Sequence, residues 1–520
     1  MTDEPADDTA QPAEPPAAED TLKAMAVKGG AYLLVRQVAG SILRALGLLW
    51  LTRLLGPTEF GRYAGPLAII SVVAALARMG VEVYLIRQPT EPPKRVEDQA
   101  FTLLLASTAL ATALTFASSW WIGRWVGDPK FGAVLRAMSF AIPINVLWVP
   151  AQARLERGFQ YRRLGFIELS GDITLYAVSI PLAIVWPTAW APTVGYFAWQ
   201  AVLLVASYGA SSYRPRLVFH RDDVRDMLGY GLTYAPTSWF QWFQDLINPL
   251  LVGRYLGSAG VGIVALVLRL VDNLSLVVTA TARLSHVAFA RIQDDIERLR
   301  RAHRETMLMQ TIGIGIPLAA FAATGGVILP ALFGPQWRDA LILFPLVAFE
   351  KCVDTLFNVH AWVLSIKRRN AAVLRARTIE LALFVGAGIV ALPRWGLIGF
   401  GIAGQVSLLS YIALDRSLRR LFAPDYRPSL PWLAALAPAL ASAWVPAWAI
   451  VPLTLPLIVL ALLPSTRTLV FELAALARGR VRPGTTADDP DAVDVDAVDV
   501  ELEVDAAGTG AVDTAPVTEP

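Results

Sequence analysis

Fourteen apolar stretches of about 20 residues run through this chain, and a helix of that length is what crosses the ~30 Å hydrocarbon core of a bilayer. They fall at about 30–54, 64–86, 99–122, 133–151, 166–186 and 194–212, then at 229–253, 259–282, 308–329, 339–364, 375–393 and 396–414. A last pair, about 430–447 and 449–464, is interrupted by Pro438, Pro446, Pro452 and Pro456 and reads either as two helices or as one. With 55% hydrophobic and only 17% charged residues, the composition argues against a soluble multidomain protein. The fold class is an all-α polytopic membrane protein.

Two of the joints between stretches carry one twelve-residue pattern. RLLGPTEFGRYA at 53–64 and RYLGSAGVGIVA at 254–265 both read R-x-L-G-x-x-x-x-G-x-x-A, and their flanking apolar stretches correspond. Such self-similarity marks a duplicated membrane bundle, and bundles of this size are usually transporters. The single cysteine, Cys352, leaves no intrachain disulfide and no cysteine-based metal cluster.

The formal charge of +2 conceals a partition. Residues 1–20 hold seven acidic side chains and residues 483–520 hold eleven, with no Lys or Arg in either, which leaves 25 acidic against 45 basic residues in the body. A basic membrane body suits anionic lipids or an anionic cargo. Its bases gather in alternate loops, at Lys94 and Arg95, Arg154 to Arg163, Arg214 to Arg225, Arg298 to Arg304, Lys367 to Arg369 and Arg416 to Arg420. The positive-inside rule then places both termini in the cytoplasm. The acidic, proline-rich start is no secretory signal, and both tails read as disordered. Residues 284–307 and 467–482 read as amphipathic helices that suit an anionic leaflet, and the first reads equally as a solvated cytoplasmic helix.

RLLGPTEFGRYA resembles the start of the polysaccharide-transport family of oligosaccharide flippases, the Wzx-like branch of the multidrug/oligosaccharidyl-lipid/polysaccharide exporter superfamily. ARLERGFQYRRLG, YRPRLVFHRDDVRDMLGYGLTYAP, LLVGRYLGSAGVG, ARIQDDIERLRRAHRETM and LFGPQW follow in the order and spacing of that family, over about residues 25–420. The acidic tails and the proline-rich last pair depart from its pattern. The resemblance implies a multi-pass protein of a bacterial plasma membrane that carries a polyprenyl-pyrophosphate-linked oligosaccharide to the outer leaflet. It implies two six-helix lobes, 25–213 and 229–415, rocking about a central cavity, with a basic linker at 214–228 and a helix pair within 416–464. Outside them lie the tail 1–24, a basic juxtamembrane segment 465–482 and the tail 483–520. Glycosyltransferases and a polymerase of the same pathway are the implied partners.

Charges inside membrane helices need partners or water, so the intramembrane charges are the site candidates. Arg36 and Arg44 lie on one half of the first helix, and two guanidiniums facing a cavity suit a pyrophosphate because each offers planar paired donors; the alternative is that either snorkels or binds a buried acid. In the seventh stretch Gln241, Asp245 and Asn248 form an i, i+4, i+7 stripe beside Gln244, which fits sugar hydroxyls and interhelical hydrogen bonding equally. Arg269 and Asp272 in the eighth are three apart and close enough to neutralise each other. The resemblance extends to lipid II flippases, whose first and eighth helices contribute cavity arginines, and this favours Arg269 as a substrate contact. Glu168 with Asp172, and Glu350 with Asp354, are i, i+4 acid pairs that suit coupling to a proton or sodium gradient, or else plain structural bonding. Arg78 and Glu82 read as a local ion pair.

Catalytic readings find little support. The chain has neither a G-x-x-x-x-G-K-[ST] loop nor an H-E-x-x-H helix, and its four histidines are far apart in sequence. No metal, cofactor or nucleic-acid partner is expected. The alternatives to a flippase are a cation-coupled drug exporter of the same superfamily, which the basic body disfavours, and a non-transporting scaffold of a glycan-assembly complex.

Overall fold

A backbone in hydrocarbon must satisfy its own hydrogen bonds, and helices do so within one segment. The computed structural model describes residues 17–88, 92–234, 242–275, 285 and 288–463, and of 17–39, 41 and 232–234 the backbone alone. Among the described residues every regular element is helical. In chain order the first are α1 (Ala17–Arg78), α2 (Val81–Ile86), α3 (Lys94–Val126), α4 (Pro129–Ser139), α5 (Ala141–Val146), α6 (Val149–Arg157), α7 (Tyr161–Val185), α8 (Trp190–Ser211) and α9 (Arg221–Tyr234). After them come α10 (Trp242–Leu274), α11 (Ile296–Phe333), α12 (Ala340–Ile366), α13 (Asn370–Ser407), α14 (Tyr411–Leu418), α15 (Leu430–Ala441) and α16 (Ala447–Leu462).

Three of these runs hold two apolar stretches each. α1 bends at Gly56 (φ 70°, ψ 174°), α10 at Gly257 (φ 62°, ψ −166°) and α13 at Gly396 (φ 56°, ψ −129°). A side chain in this left-handed region costs about 1–2 kcal/mol, which is why a glycine stands at each bend. Gly56 and Gly257 are the fourth residues of the two motif copies, so the duplication in sequence is a duplication in backbone geometry. By length and hydropathy six described helices cross a membrane, or seven with Pro129–Ser139 and Ala141–Arg157 taken as one span bent by 47°. That criterion supports a polytopic bundle without reaching fourteen crossings. The outer faces agree with a lipid environment, since Leu110, Leu114, Trp121, Ile184 and Val205 are each more than 60% exposed.

Four expectations need correction. The stretch at 133–151 is not one helix but parts of α4, α5 and α6, because Pro143 and Pro150 each remove a backbone donor. The amphipathic segment at 284–307 is, from Ile296 on, the first turns of α11, whose N-terminus is capped by the Asp295 carboxylate accepting from the N–H groups of Glu297 and Arg298 at 3.1 and 3.0 Å. α1 starts at Ala17, so residues 17–24 of the supposed tail are helical, as their alanines and the acids near the helix start favour. The basic linker is helical from Arg221 on. Before that point its backbone is tied to the start of α3: the N–H groups of Arg216, Val218 and His220 donate to Asp98, Thr102 and Gln99 at 3.1, 3.0 and 2.6 Å. Burial, and then the neighbouring Asp98 carboxylate, push the Tyr213 hydroxyl well above the usual phenol range, so it stays a donor to Asp98 at 2.9 Å. The supposed juxtamembrane helix 467–482 lies outside the described residues.

Candidate substrate cavity and charged interior

The first half of α1 is fastened to α7 by a charge and a tight fit. Arg44 Nη1 lies 2.6 Å from Asp172 Oδ2, with Asp172 buried and the Arg44 side chain 47% exposed. The Tyr176 hydroxyl, one turn further along α7, donates to the Arg44 carbonyl at 3.2 Å. Its ring fills the place where a Cβ on Gly47 would stand, 2.2 Å from that point, so only glycine admits it. Asp172 thus has a cationic partner, and Glu168, one turn earlier on α7, is half-buried. The backbone of Arg36 lies in α1; its side chain is outside the described residues, as is the whole of Gln241.

Arg269 takes a different course. It is exposed on the second half of α10, and among the described residues no acid pairs with it. Asp272, which sequence spacing offered as its partner, binds Lys351 of α12 at 3.1 Å instead. The charge of Arg269 reaches the hydroxyls of both Tyr63 and Tyr176, and that of Arg44 reaches Tyr176 as well. Two arginines from different halves of the chain are therefore within electrostatic reach of one tyrosine, which sequence reasoning did not single out.

The second half of the chain holds a denser arrangement. Arg377 on α13 binds Glu380 at 2.7 Å and Asp354 at 3.4 Å and donates to the Asn358 carbonyl oxygen. Asp354 also accepts from Asn358 Nδ2 at 3.0 Å and from the Tyr411 hydroxyl. Gln244 of α10 donates to Glu380 at 3.1 Å. The Glu350 carboxylate sits over Gly404, where a Cβ would lie 2.0 Å from its Oε2, within electrostatic reach of Asp354, Glu380 and Lys351. Asp272, Glu350, Asp354 and Glu380 thus face only Lys351 and Arg377 as bases in this group. Sequence reading omitted Arg377 and Glu380, although an i, i+3 charge pair inside an apolar stretch was a visible signal.

The polar stripe of α10 divides among its neighbours. Gln244 joins the acid network, Asp245 is exposed and bonded, and Asn248 Nδ2 donates at 3.2 Å to the Val261 carbonyl beyond the Gly257 bend, with its Oδ1 buried and unpaired. Arg78 binds Glu82 at 3.4 Å and also Asn145 of α5 at 3.1 Å, so its contacts are not wholly local.

A family described as polysaccharide biosynthesis protein matches residues 50–342. The lipopolysaccharide biosynthesis protein WzxC of Escherichia coli (strain K12) is 24% identical over 375 residues, 70% of this chain and 75% of that protein. The succinoglycan biosynthesis transport protein ExoT of Rhizobium meliloti is 24% identical over 310 residues, 59% of this chain and 62% of its own. In fold, the chain is similar to the lipid II flippase MurJ in an inward closed conformation, with a TM-score of 0.61, 14% identity and coverage of 86% of this chain and 100% of that one. It is also similar to an inward-facing multidrug resistance MATE family transporter of the MOP superfamily, with a TM-score of 0.55, 13% identity and coverage of 74% and 95%.

Proposed function

This chain belongs to the polysaccharide biosynthesis protein family, and we propose that it flips a polyprenyl-pyrophosphate-linked oligosaccharide across a bacterial plasma membrane by alternating access. The observation that carries the reading is Arg269: an exposed guanidinium with no acid beside it among the described residues, within electrostatic reach of the same tyrosine as Arg44. A cation on a membrane-spanning helix costs about 2.5–3.5 kcal/mol unless water or a ligand meets it, and a diphosphate supplies paired oxygens for its planar fork. The family and the relatives in polysaccharide assembly support the sugar cargo, and the 45 basic residues of a largely apolar chain support an anionic one. Glu350, Asp354 and Glu380, with the exposed Asp272 beside Lys351, supply surplus negative charge for a coupling proton or sodium ion, so the gradient rather than nucleotide hydrolysis drives the cycle. Fourteen crossings with both termini in the cytoplasm, anionic lipids around the basic loops, and glycosyltransferases and a polymerase working beside it complete the proposal.

The test is the leaflet distribution of lipid-linked sugar in cells carrying Arg36→Ala, Arg269→Ala or both. Accumulation on the cytoplasmic leaflet at normal protein level is the expected outcome, with Lys rescuing only in part because it keeps the charge and loses the two-donor fork. Unimpaired flipping by the double variant overturns the cationic cavity.

A further inference from the structure

The duplicated motif has so far explained only two bends. In the structure its two copies lie against each other at the end of the bundle opposite the basic loops, and the contact is reciprocal. A Cβ on Gly61 would stand 1.8 Å from the Ser258 carbonyl oxygen, and one on Gly262 would stand 2.0 Å from that of Pro57. Gly61 and Gly262 are the ninth residues of the two copies, and Pro57 and Ser258 the fifth, so each copy places its glycine on the same point of the other. Such a self-complementary contact is what an internal two-fold relation produces.

The motif arginines repeat the exchange. Arg53 donates to the carbonyls of Ala331 and Leu332, at the end of α11, at 2.7 and 3.1 Å. Arg254 donates to the Trp125 carbonyl, at the end of α3, at 3.4 Å, and its guanidinium lies 5.0 Å from the Trp125 ring centre. Each arginine thereby satisfies a helix C-terminus in the other half of the chain. Indole groups return the contact: Trp337 Nε1 donates to the Thr52 carbonyl at 3.0 Å and Trp125 Nε1 to that of Leu250 at 2.9 Å.

The charge, unlike the shape, is one-sided. Arg62 of the first copy binds Asp128 through Nε at 2.7 Å, and the Ser258 hydroxyl of the second copy donates to the same carboxylate oxygen at 2.7 Å. Glu59 accepts from Arg62 and, at 2.9 Å, from the Ala189 backbone N–H. The second copy has Gly260 and Ile263 at the places of Glu59 and Arg62. Asp128 therefore joins both copies from the loop between α3 and α4.

We infer that the two motif copies form the gate on the side away from the basic loops: a glycine-to-glycine seam, closed here, pinned by Asp128, which parts to release cargo. This rests on the transport reading above, but its geometry is testable apart from it. In the full-length Cys352→Ala chain, Val261→Cys places a thiol in the seam, where Val261 is fully buried against Gly65 and Gly253. A membrane-impermeant maleimide should label it slowly, and Asp128→Asn should raise the labelling rate several-fold. An unchanged rate overturns the pin whether or not the protein flips sugar. In a second arm, Asp128→Cys with Ser258→Cys is bridged by a short, reducible thiol cross-linker. Flipping should fall at least tenfold on bridging and return on reduction, against the same protein unbridged. Full flipping by the bridged protein overturns the gate. Faster labelling in Asp128→Asn with no flipping even by the unaltered chain would instead retain the seam and dismiss the transport reading.

Discussion

Arg377 and Arg269 are the same residue type in the second half of the chain, and their surroundings could hardly differ more. Arg377 is held by Glu380, Asp354 and Asn358, while Arg269 has two tyrosine hydroxyls within range of its charge and no acid beside it among the described residues. The first belongs to a bonded interior that ties α10, α12, α13 and α14 together. The second is exposed, and among the described residues none accepts from its guanidinium. An intramembrane charge is thus no guide to function by itself: its unspent hydrogen-bonding capacity is.

That contrast makes stability the readout for one arginine and transport the readout for the other. Arg377→Ala strands Asp354 and Glu380 as half-buried acids; removing one partner of a fully buried pair costs about 3–5 kcal/mol and this network somewhat less, so the membrane level of the protein should fall. A normal level with normal flipping would mean that the network is dispensable. Arg269→Ala should leave the level near normal and lower flipping roughly ten- to hundredfold, the worth of about 1.5–3 kcal/mol for hydrogen bonds to a charged group. Loss of protein instead of loss of transport would move Arg269 into the scaffold.

Arg44 stands between these cases and sharpens them. Arg44→Ala leaves the buried Asp172 carboxylate without its 2.6 Å partner, so it should lower both level and flipping, less than Arg377→Ala because the guanidinium is 47% exposed and solvent-screened. Adding Asp172→Asn should restore the level; if it restores flipping in full as well, Arg44 serves only the helix contact. Arg78→Ala should change flipping by less than about threefold, since a part-exposed i, i+4 pair contributes about 0.2–0.5 kcal/mol and the further charge-assisted bond goes to Asn145 of the scaffold rather than to cargo.

The smallest effect belongs to the seam and pH. Burial raises the Asp128 carboxyl, but hydrogen bonds from Arg62 and Ser258 outweigh it and hold the group below its ordinary value. A depressed folded-state value means that its stabilisation is complete above the ordinary carboxylate range and is lost only as pH falls through the depressed one. Labelling of Val261→Cys, corrected for thiolate fraction, should therefore stay flat between pH 8 and about 5. A rise within that window would assign the gate to another titrating group.

Much of this was legible in the sequence, and the limits have physical causes. Apolar length and basic alternation gave the helical bundle, because lipid solvation acts on single segments. The repeat gave the duplication, yet not that its glycines meet, since reciprocity between residues 201 positions apart leaves no local pattern. Pairings across helices were the hardest part. Spacing suggested Arg269 with Asp272, whereas Lys351 occupies Asp272 and Arg269 is left open. Pro143 and Pro150 were visible, but hydropathy averages over them and so returned one helix where three stand.

The last two helices are short. Leu430–Trp444 and Ala447–Leu462 are both apolar runs of fewer than 18 residues, about 22–24 Å at 1.5 Å per residue, beside neighbours long enough to traverse ~30 Å of hydrocarbon. Trp444 and Trp448, 51% and 79% exposed, flank their joint, where indole rings favour the headgroup level. A bilayer along this flank meets a shorter apolar wall, and such a mismatch is met by local thinning, by snorkelling of flanking residues or by oligomerisation. Where thinning meets it, the hydrocarbon path that a polar headgroup would have to travel shortens beside this pair.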